Sequence, residues 1–346
     1  MAKIERILIY RLASMGDTVV SLPCFHAIRQ RYRTARIALL TTHPIDASAI
    51  SAATLIQGTG LVDHYISYPE NTRDLQKLRK IKKETQAFAP SLLIYLAAPR
   101  GLHNTYRDYL FFRWCGVRHF TGVPFTRDLR QCRPPETGSY LWESEAHRLA
   151  RCIVPLTTDV ASEQNWSLCL SDRELFTALQ LLGPNTKCLG LAAGARQAAK
   201  DWGVENWQTV LAGIANPALT LVLIGAATDR DRSSRMATGW PGPVINLCGE
   251  ASPRMSAAVI KHLDLLLCHD GGPMHLAAAV GTRCVAIFGN VNQPGQWFPF
   301  GADHTIFHPR LPGSNGTIQP SKVINAVQDA LAATVEPVGT RCRSLA

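Results

Sequence analysis

Largely apolar runs recur along the chain, each closed by glycine, proline or a polar or charged residue. In the first half they are Ile7-Leu8-Ile9-Tyr10, Arg36-Ile37-Ala38-Leu39-Leu40-Thr41 and Leu92-Leu93-Ile94-Tyr95-Leu96. In the second half they are Cys188 to Ala193, Leu219 to Ile224, Val244 to Gly249, Leu263 to Cys268 (broken only by Asp264) and Arg283 to Gly289. Short runs that are apolar throughout, not alternating, are those of strands buried on both faces of a parallel sheet. Between them the period becomes helical. Phe25, Ile28 and Tyr32 follow the first run, and a second helical segment runs from His147 to Ile153. Leu75, Leu78 and Ile81 lie three apart around the basic stretch Lys77 to Lys83, whose charges are expected on the wet face of a helix, with a membrane-surface role as the alternative. Ser171-Asp172-Arg173-Glu174 is a capping box that opens a helix through Leu182. Strand, helix and strand within some forty residues imply a parallel sheet with right-handed crossovers.

At 346 residues the chain exceeds the size at which a single core usually divides. Two α/β domains are expected, residues 1–160 and 161–330, with the polar stretch Thr157 to Gln164 as the linker and 331–346 as a tail. Gln57 to Asp63 contains G-x-G-x-x-D, but it does not open from an apolar strand and reads as a connecting loop. No apolar run approaches the roughly 20 residues that span a bilayer. The start, Met1 to Arg6, runs straight into the first strand and does not read as a signal peptide. Ten cysteines are scattered without a C-x-x-C pair, which fits a reduced cytoplasm and excludes the usual zinc spacing. No metal site and no cofactor are expected.

Charge is unevenly divided. Residues 1–165 carry 22 Lys and Arg against 14 Asp and Glu, whereas residues 166–346 carry 14 against 12, within a net +10. A basic first half points to an acidic partner. From Arg100 to Arg133 seven arginines interleave with Tyr106, Tyr109, Phe111, Phe112 and Trp114. No recognised nucleic-acid motif accompanies them, and arginine is equally suited to phosphate and carboxylate on other ligands. Nucleic acid is therefore not an expected partner.

The ends of the apolar runs carry the candidate chemistry. After Leu263 to Cys268 come His269, Asp270, Gly271, Gly272, Pro273, Met274 and His275, then Leu276 and three alanines. This reads as strand, glycine turn and helix start, with Pro273 at the first helical position. Such a start bares backbone N–H groups at the positive end of a helix, where an anion is favoured. Asp270 could equally cap the helix. The run at Cys188 ends in Gly194, Arg196 and Lys200, and that at Leu219 ends at Gly225; Lys200 is either a point charge for phosphate or an exposed lysine. After the first strand, Ser14, Met15 and Gly16 lead to Asp17, which is either a general base at the sheet edge or a helix cap.

Three of these segments together resemble glycosyltransferase family nine, the ADP-heptose:lipopolysaccharide heptosyltransferases. They are Ile7 to Asp17 with Leu22-Pro23 and Ala35-Arg36-Ile37, then Gly194 with Lys200 and Trp202, then Asp270 to Ala279 with Gly281 and Phe288-Gly289. The resemblance implies a GT-B fold, two Rossmann-like domains facing each other across a cleft, and inverting, metal-independent transfer from a nucleotide sugar. It implies Asp17 as general base and Lys200 as counter-charge to the leaving diphosphate. Donor contacts would come from Gly194, Arg196, Lys200, Gly225, Glu250 and the stretch Asp270 to His275. Acceptor contacts would come from Ser14, Met15, Gly16, Arg100 and Arg107. The implied partners are ADP-heptose and an acidic glycolipid of the lipopolysaccharide inner core, with peripheral contact at the inner face of the cytoplasmic membrane. Gly271 departs from the family, which commonly has Ser or Thr there, and Glu250-Ala251 replace a Lys or Gln followed by Thr or Ser. Another nucleotide sugar, another surface glycan or protein acceptor, and a GT-B-shaped nucleotide-sugar epimerase are the competing expectations.

Overall fold

The computed structural model describes residues 4–43, 52–69, 74–183, 186–301, 303–312 and 316–333. All but the first residues of the expected tail, from 334 on, lie outside them. The first half builds strands β1 (Arg6–Tyr10), β2 (Arg36–His43), β3 (His64–Pro69), β4 (Leu92–Tyr95) and β5 (Phe120–Thr121), paired in parallel in the order β3-β2-β1-β4-β5. The second half builds β6 (Cys188–Ala192), β7 (Thr220–Leu223), β8 (Val244–Asn246), β9 (Leu265–His269), β10 (Cys284–Ile287) and β11 (Thr305–Phe307). Its parallel order is β11-β10-β9-β6-β7-β8.

In each sheet the chain steps outward from a central strand and then crosses back to that strand's other side. The reversals fall between β1 and β4, and between β6 and β9. Crevices at the carboxyl ends of open α/β sheets form at such reversals. Asp17 follows β1, Lys200 follows β6 and Asp270 follows β9, so all three stand beside a reversal.

Alternation along the strands sorts the cores. Ile7 and Ile9 face an inner core, while Leu8 and Tyr10 face the outer layer of the first sheet. Leu266 and Cys268 likewise face the inner core, and Leu265 and Leu267 the outer layer of the second sheet. The inner core is continuous between the halves, running through Leu149, Ile153, Trp166 and Leu168 to Val259, Met274 and Leu276. The stretch read as a linker is packed: Thr158 Oγ1 donates to the Pro23 carbonyl, and Val160 is buried. Just beyond it Trp166 stacks on Phe300 with ring centroids 4.6 Å apart.

Arg254 ties the same region together. It forks onto Glu174 (2.6 and 2.9 Å) and donates to the carbonyls of Leu55, Leu168 and Cys169. This guanidinium contact holds the Glu174 carboxyl down at about 2. Glu174 also accepts from the Ser171 backbone and hydroxyl, so the capping box forms where the sequence places it, opening helix Asp172–Leu182. The basic run lies on helix Leu75–Phe88, with Ile81 and Phe88 buried and Lys77, Arg79, Lys80 and Lys83 exposed. The nine described cysteines are all free, and all but Cys169 are buried. Among the described residues no helix is long and apolar enough to cross a membrane.

Candidate active site

Two helix starts, one from each half, meet between the sheets. Helix Met15–Val20 follows β1 and helix Gly272–Val280 follows β9. They approach at residues without side chains. A Cβ on Gly16 would stand 3.0 Å from His275 Cδ2, and one on Gly272 would stand 2.2 Å from Met15 Cε. A side chain at either position would require His275 or Met15 to shift. Beside this contact opens a cleft of ≈ 680 Å³ with walls from both halves.

Asp17 lines the cleft from the first half, and the structure joins its two sequence readings. Oδ2 accepts from the Ser14 backbone N–H (3.1 Å) and hydroxyl (2.5 Å), which is the capping role. Oδ1 has Arg11 Nη2 at 3.9 Å, and the side chain keeps 28% of its exposure. Arg11 was not legible as a site residue. It is wholly buried, donates to the carbonyls of Asp17 (2.6 Å) and Leu96 (2.5 Å), and so clamps the Asp17 turn to the end of β4. Burial pulls its pKa down from the usual arginine value, against the pull of Asp17.

Lys200 and Asp270 line the opposite wall as an ion pair, Nζ to Oδ2 2.7 Å. Asn292 Nδ2 donates to the same oxygen at 2.7 Å, a partner no sequence pattern announces. Lys200 ends the short turn Ala198–Lys200, against which Gly289 packs; a Cβ there would stand 2.0 Å from the Ala199 carbonyl oxygen. The same loop is pinned from inside by His269, whose Nε2 accepts from the Trp202 backbone N–H and Trp207 Nε1, both at 3.1 Å. With Nε2 accepting twice, the ring proton belongs on Nδ1. Burial pushes His269 down to about 4. His275 falls to about 4 for the same reason, with Asp270 and Asp17 pulling the other way. Both rings are neutral at pH 7.

Gly194 and Gly225 line the cleft around Asp229, another residue the sequence did not single out as a site. The Asp229 carboxylate caps the Ala226 N–H at 2.9 Å and fills the space above both glycines, 2.5 Å and 2.9 Å from where their Cβ atoms would lie. Arg196 stands exposed in the same wall, and Gly271, Gly272 and Pro273 lie half-buried in it. The start of helix Gly272–Val280 thus offers N–H groups and positive dipole to an anion, Pro273 having none to offer. Ser14, Met15 and Gly16 complete the first-half wall.

Five expected residues are not in these walls. Met274 points into the inner core, and His275 lies buried beneath the Gly16 contact. Glu250 turns outward to pair with Arg230, while its neighbour Ala251 lines the cleft. Arg100 and Arg107 are drawn to the buried Asp108 at 2.7 and 2.9 Å; Tyr10 and Tyr95 hydroxyls donate to the same carboxylate. Asp108 was invisible in sequence because nothing marks a mid-helix aspartate as buried. Among the described residues no group of three His, Cys, Asp or Glu side chains is placed to hold a metal ion.

The sequence profile of glycosyltransferase family 9 (heptosyltransferase) matches residues 144–316. That span holds Lys200 and Asp270; Asp17 lies before it. The lipopolysaccharide core heptosyltransferase OpsX of Haemophilus influenzae is 25% identical over 130 residues, a match covering 37% of this chain and only 37% of OpsX. Among solved structures, a glycosyl transferase family 9 protein of Veillonella parvula superposes with a TM-score of 0.74 at 16% identity, over 95% of this chain and 98% of that one. The E. coli ADP-heptose lps heptosyltransferase II superposes with a TM-score of 0.70 at 18% identity, over 95% and 99%. At such identities these structures speak for the fold, which is that of the GT-B glycosyltransferases.

Proposed function

The chain belongs to glycosyltransferase family 9 (heptosyltransferase), and from that premise we propose that it is an inverting transferase moving heptose from ADP-heptose to an acidic inner-core acceptor of lipopolysaccharide. One observation carries the reading: Asp17 from one half and the Lys200–Asp270 pair from the other line a single cleft. In the proposed reaction an acceptor hydroxyl attacks the anomeric carbon as the bond from that carbon to the diphosphate oxygen breaks on the opposite face. Asp17 takes the hydroxyl proton, and the nucleoside diphosphate leaves with the bonding pair.

The local chemistry suits these roles. Arg11 and Ser14 hold Asp17 by its backbone and Oδ2, which fixes the direction of Oδ1. Lys200 supplies positive charge where the leaving diphosphate gains negative charge, with N–H groups from the start of helix Gly272–Val280. Asp270, steadied by Asn292, accepts from sugar hydroxyls in this reading. The buried neutral histidines add no competing cation. The names of OpsX and of the E. coli transferase support the sugar and the acceptor class.

The test is Asp17→Asn, assayed with ADP-heptose and an inner-core acceptor. Transfer should fall about 10³-fold, the usual worth of a general base, while ADP-heptose still raises the melting temperature as it does in the wild type. A variant with near-normal turnover removes the base role from Asp17. A UDP-, GDP- or CMP-sugar that stabilises the protein more than ADP-heptose overturns the donor. Conversion of the nucleotide sugar without acceptor would assign an epimerase.

A further inference from the structure

Helix Leu102–Trp114 turns one face to the outer layer of the first sheet, burying Thr105, Asp108 and Phe112. Its opposite face is apolar. Leu102, Tyr106, Leu110 and Trp114 recur every four residues and are 45%, 55%, 62% and 51% exposed. Spacing of four keeps them on one stripe of the helix. The stripe extends sideways in both directions. Tyr106 packs on exposed Phe125 with ring centroids 5.0 Å apart, and Lys82 of helix Leu75–Phe88 lies over the Trp114 ring at 3.8 Å. Two turns before Lys82 on that helix stands Leu75, 67% exposed. A solvent-facing apolar stripe of this kind calls for a covering.

The surroundings say what covers it. Lys77, Arg79, Lys80 and Lys83 are exposed on the first helix, and Arg113 and Arg118 at the end of the second. The acidic residues of the two helices do not balance them: Asp74 caps the first helix, Glu84 faces Lys80 at 3.9 Å, and Asp108 is buried between Arg100 and Arg107. Aliphatic and aromatic side chains ringed by lysine and arginine match the interfacial layer of an anionic bilayer. Apolar tips enter the acyl boundary there, and amphipathic Trp and Tyr sit at headgroup depth. A soluble polyanion would use the charges and leave Leu102, Leu110 and Leu75 in water.

We propose that this outer face of the first half, helices Leu75–Phe88 and Leu102–Trp114, is a docking surface for an anionic lipid bilayer. It places the Asp17 half of the cleft next to the membrane. The proposal stands without the choice of sugar, and its test uses no acceptor lipid, so it can fail or succeed separately from the proposed reaction.

The test is co-sedimentation of the full chain with vesicles of phosphatidylcholine alone or with a third phosphatidylglycerol, at low and high salt. Wild type should pellet with the anionic vesicles, and less so at high salt as charges are screened. Lys80→Gln with Lys83→Gln should weaken binding about 25-fold, at about 5-fold per basic side chain near the surface. Leu110→Ser with Trp114→Ser should weaken it at least tenfold at unchanged charge. Each variant should keep its melting temperature and its far-ultraviolet circular dichroism, which separates lost docking from lost folding. Wild type left in the supernatant, or serine variants that bind like wild type, would overturn the proposal. Loss with the glutamine pair alone would mean a soluble polyanion, and overturns it too.

Discussion

Gly289→Ala is the sharpest probe of the wall that carries Lys200. A Cβ at this position would stand 2.0 Å from the Ala199 carbonyl oxygen and 2.9 Å from Lys200 Cα, where ordinary contact begins at 3.4 Å. The obstacle is backbone, so no side-chain rotation relieves it. The Ala198–Lys200 turn must retreat by about 1 Å, and a displacement of that size costs on the order of 10²-fold in rate when it moves a catalytic group. The fold should lose only the about 1–3 kcal/mol typical of one added methyl in a packed site. Turnover and thermal unfolding measured together read both quantities. The second arm is a cycle with Lys200→Ala. In that background the Gly289 substitution should cost less than about threefold, because the group it misplaces is already gone. Full turnover in Gly289→Ala would refute the argument, and so would additive losses in the double variant, which would place the damage elsewhere than Lys200.

Three further outcomes follow from the geometry. His269 and His275 are held near 4 against an ordinary 6.5, so between those values the unfolded chain binds protons the folded chain refuses. Stability should therefore fall as pH drops from about 6.5 to about 4, by about 3 kcal/mol per histidine, and denaturant unfolding of His275→Asn should show a shallower slope. Arg254→Leu should cost about 3–5 kcal/mol, since it strands Glu174 and three carbonyls, and Arg254→Lys should not restore the fork; stability within about 0.5 kcal/mol of wild type would contradict this. Gly271 has extended backbone, and a Cβ there meets nothing closer than 3.8 Å, so Gly271→Ser should fold normally. Its hydroxyl should tighten ADP-heptose binding about tenfold by one charge-assisted hydrogen bond, and unchanged calorimetric affinity would mean the diphosphate does not pass this residue.

The strands that could be read in sequence are mostly the buried ones. β1, β2, β4, β6, β7, β9 and β10 have apolar neighbours on both faces and are written as continuous apolar runs, and edge strand β8 was read with them. β3, β5 and β11 were missed, and each is a sheet edge. His64–Pro69 is partly exposed, and Phe120–Thr121 and Thr305–Phe307 are too short to show a period. Candidate residues followed the same rule. Asp270 stands directly after a buried run, and Asp17 and Lys200 stand in the segments that follow buried runs, so position marked them. Asn292, Asp229 and Arg11 owe their places to partners distant in the chain or to a loop's path. Arg100, Arg107 and Glu250 lie outside the cleft walls for a reason charge counting does not show: the sequence shows the arginines, but only the fold shows Asp108 beneath two of them and Arg230 beside the glutamate.

The contact between Gly16 and Gly272 has a metrical consequence. Where two half-sites are spaced by side chains, their separation inherits the rotamers of those side chains and wanders with them. Here glycine main chain on each turn meets a single side chain from the other, Gly16 against His275 and Gly272 against Met15, so one side of each contact is always bare main chain. Each contact therefore carries one set of rotamers where two facing side chains would carry two, and the gap has correspondingly less freedom to vary. The molecule carries its own gauge block, and any ligand bridging the two turns is measured against it.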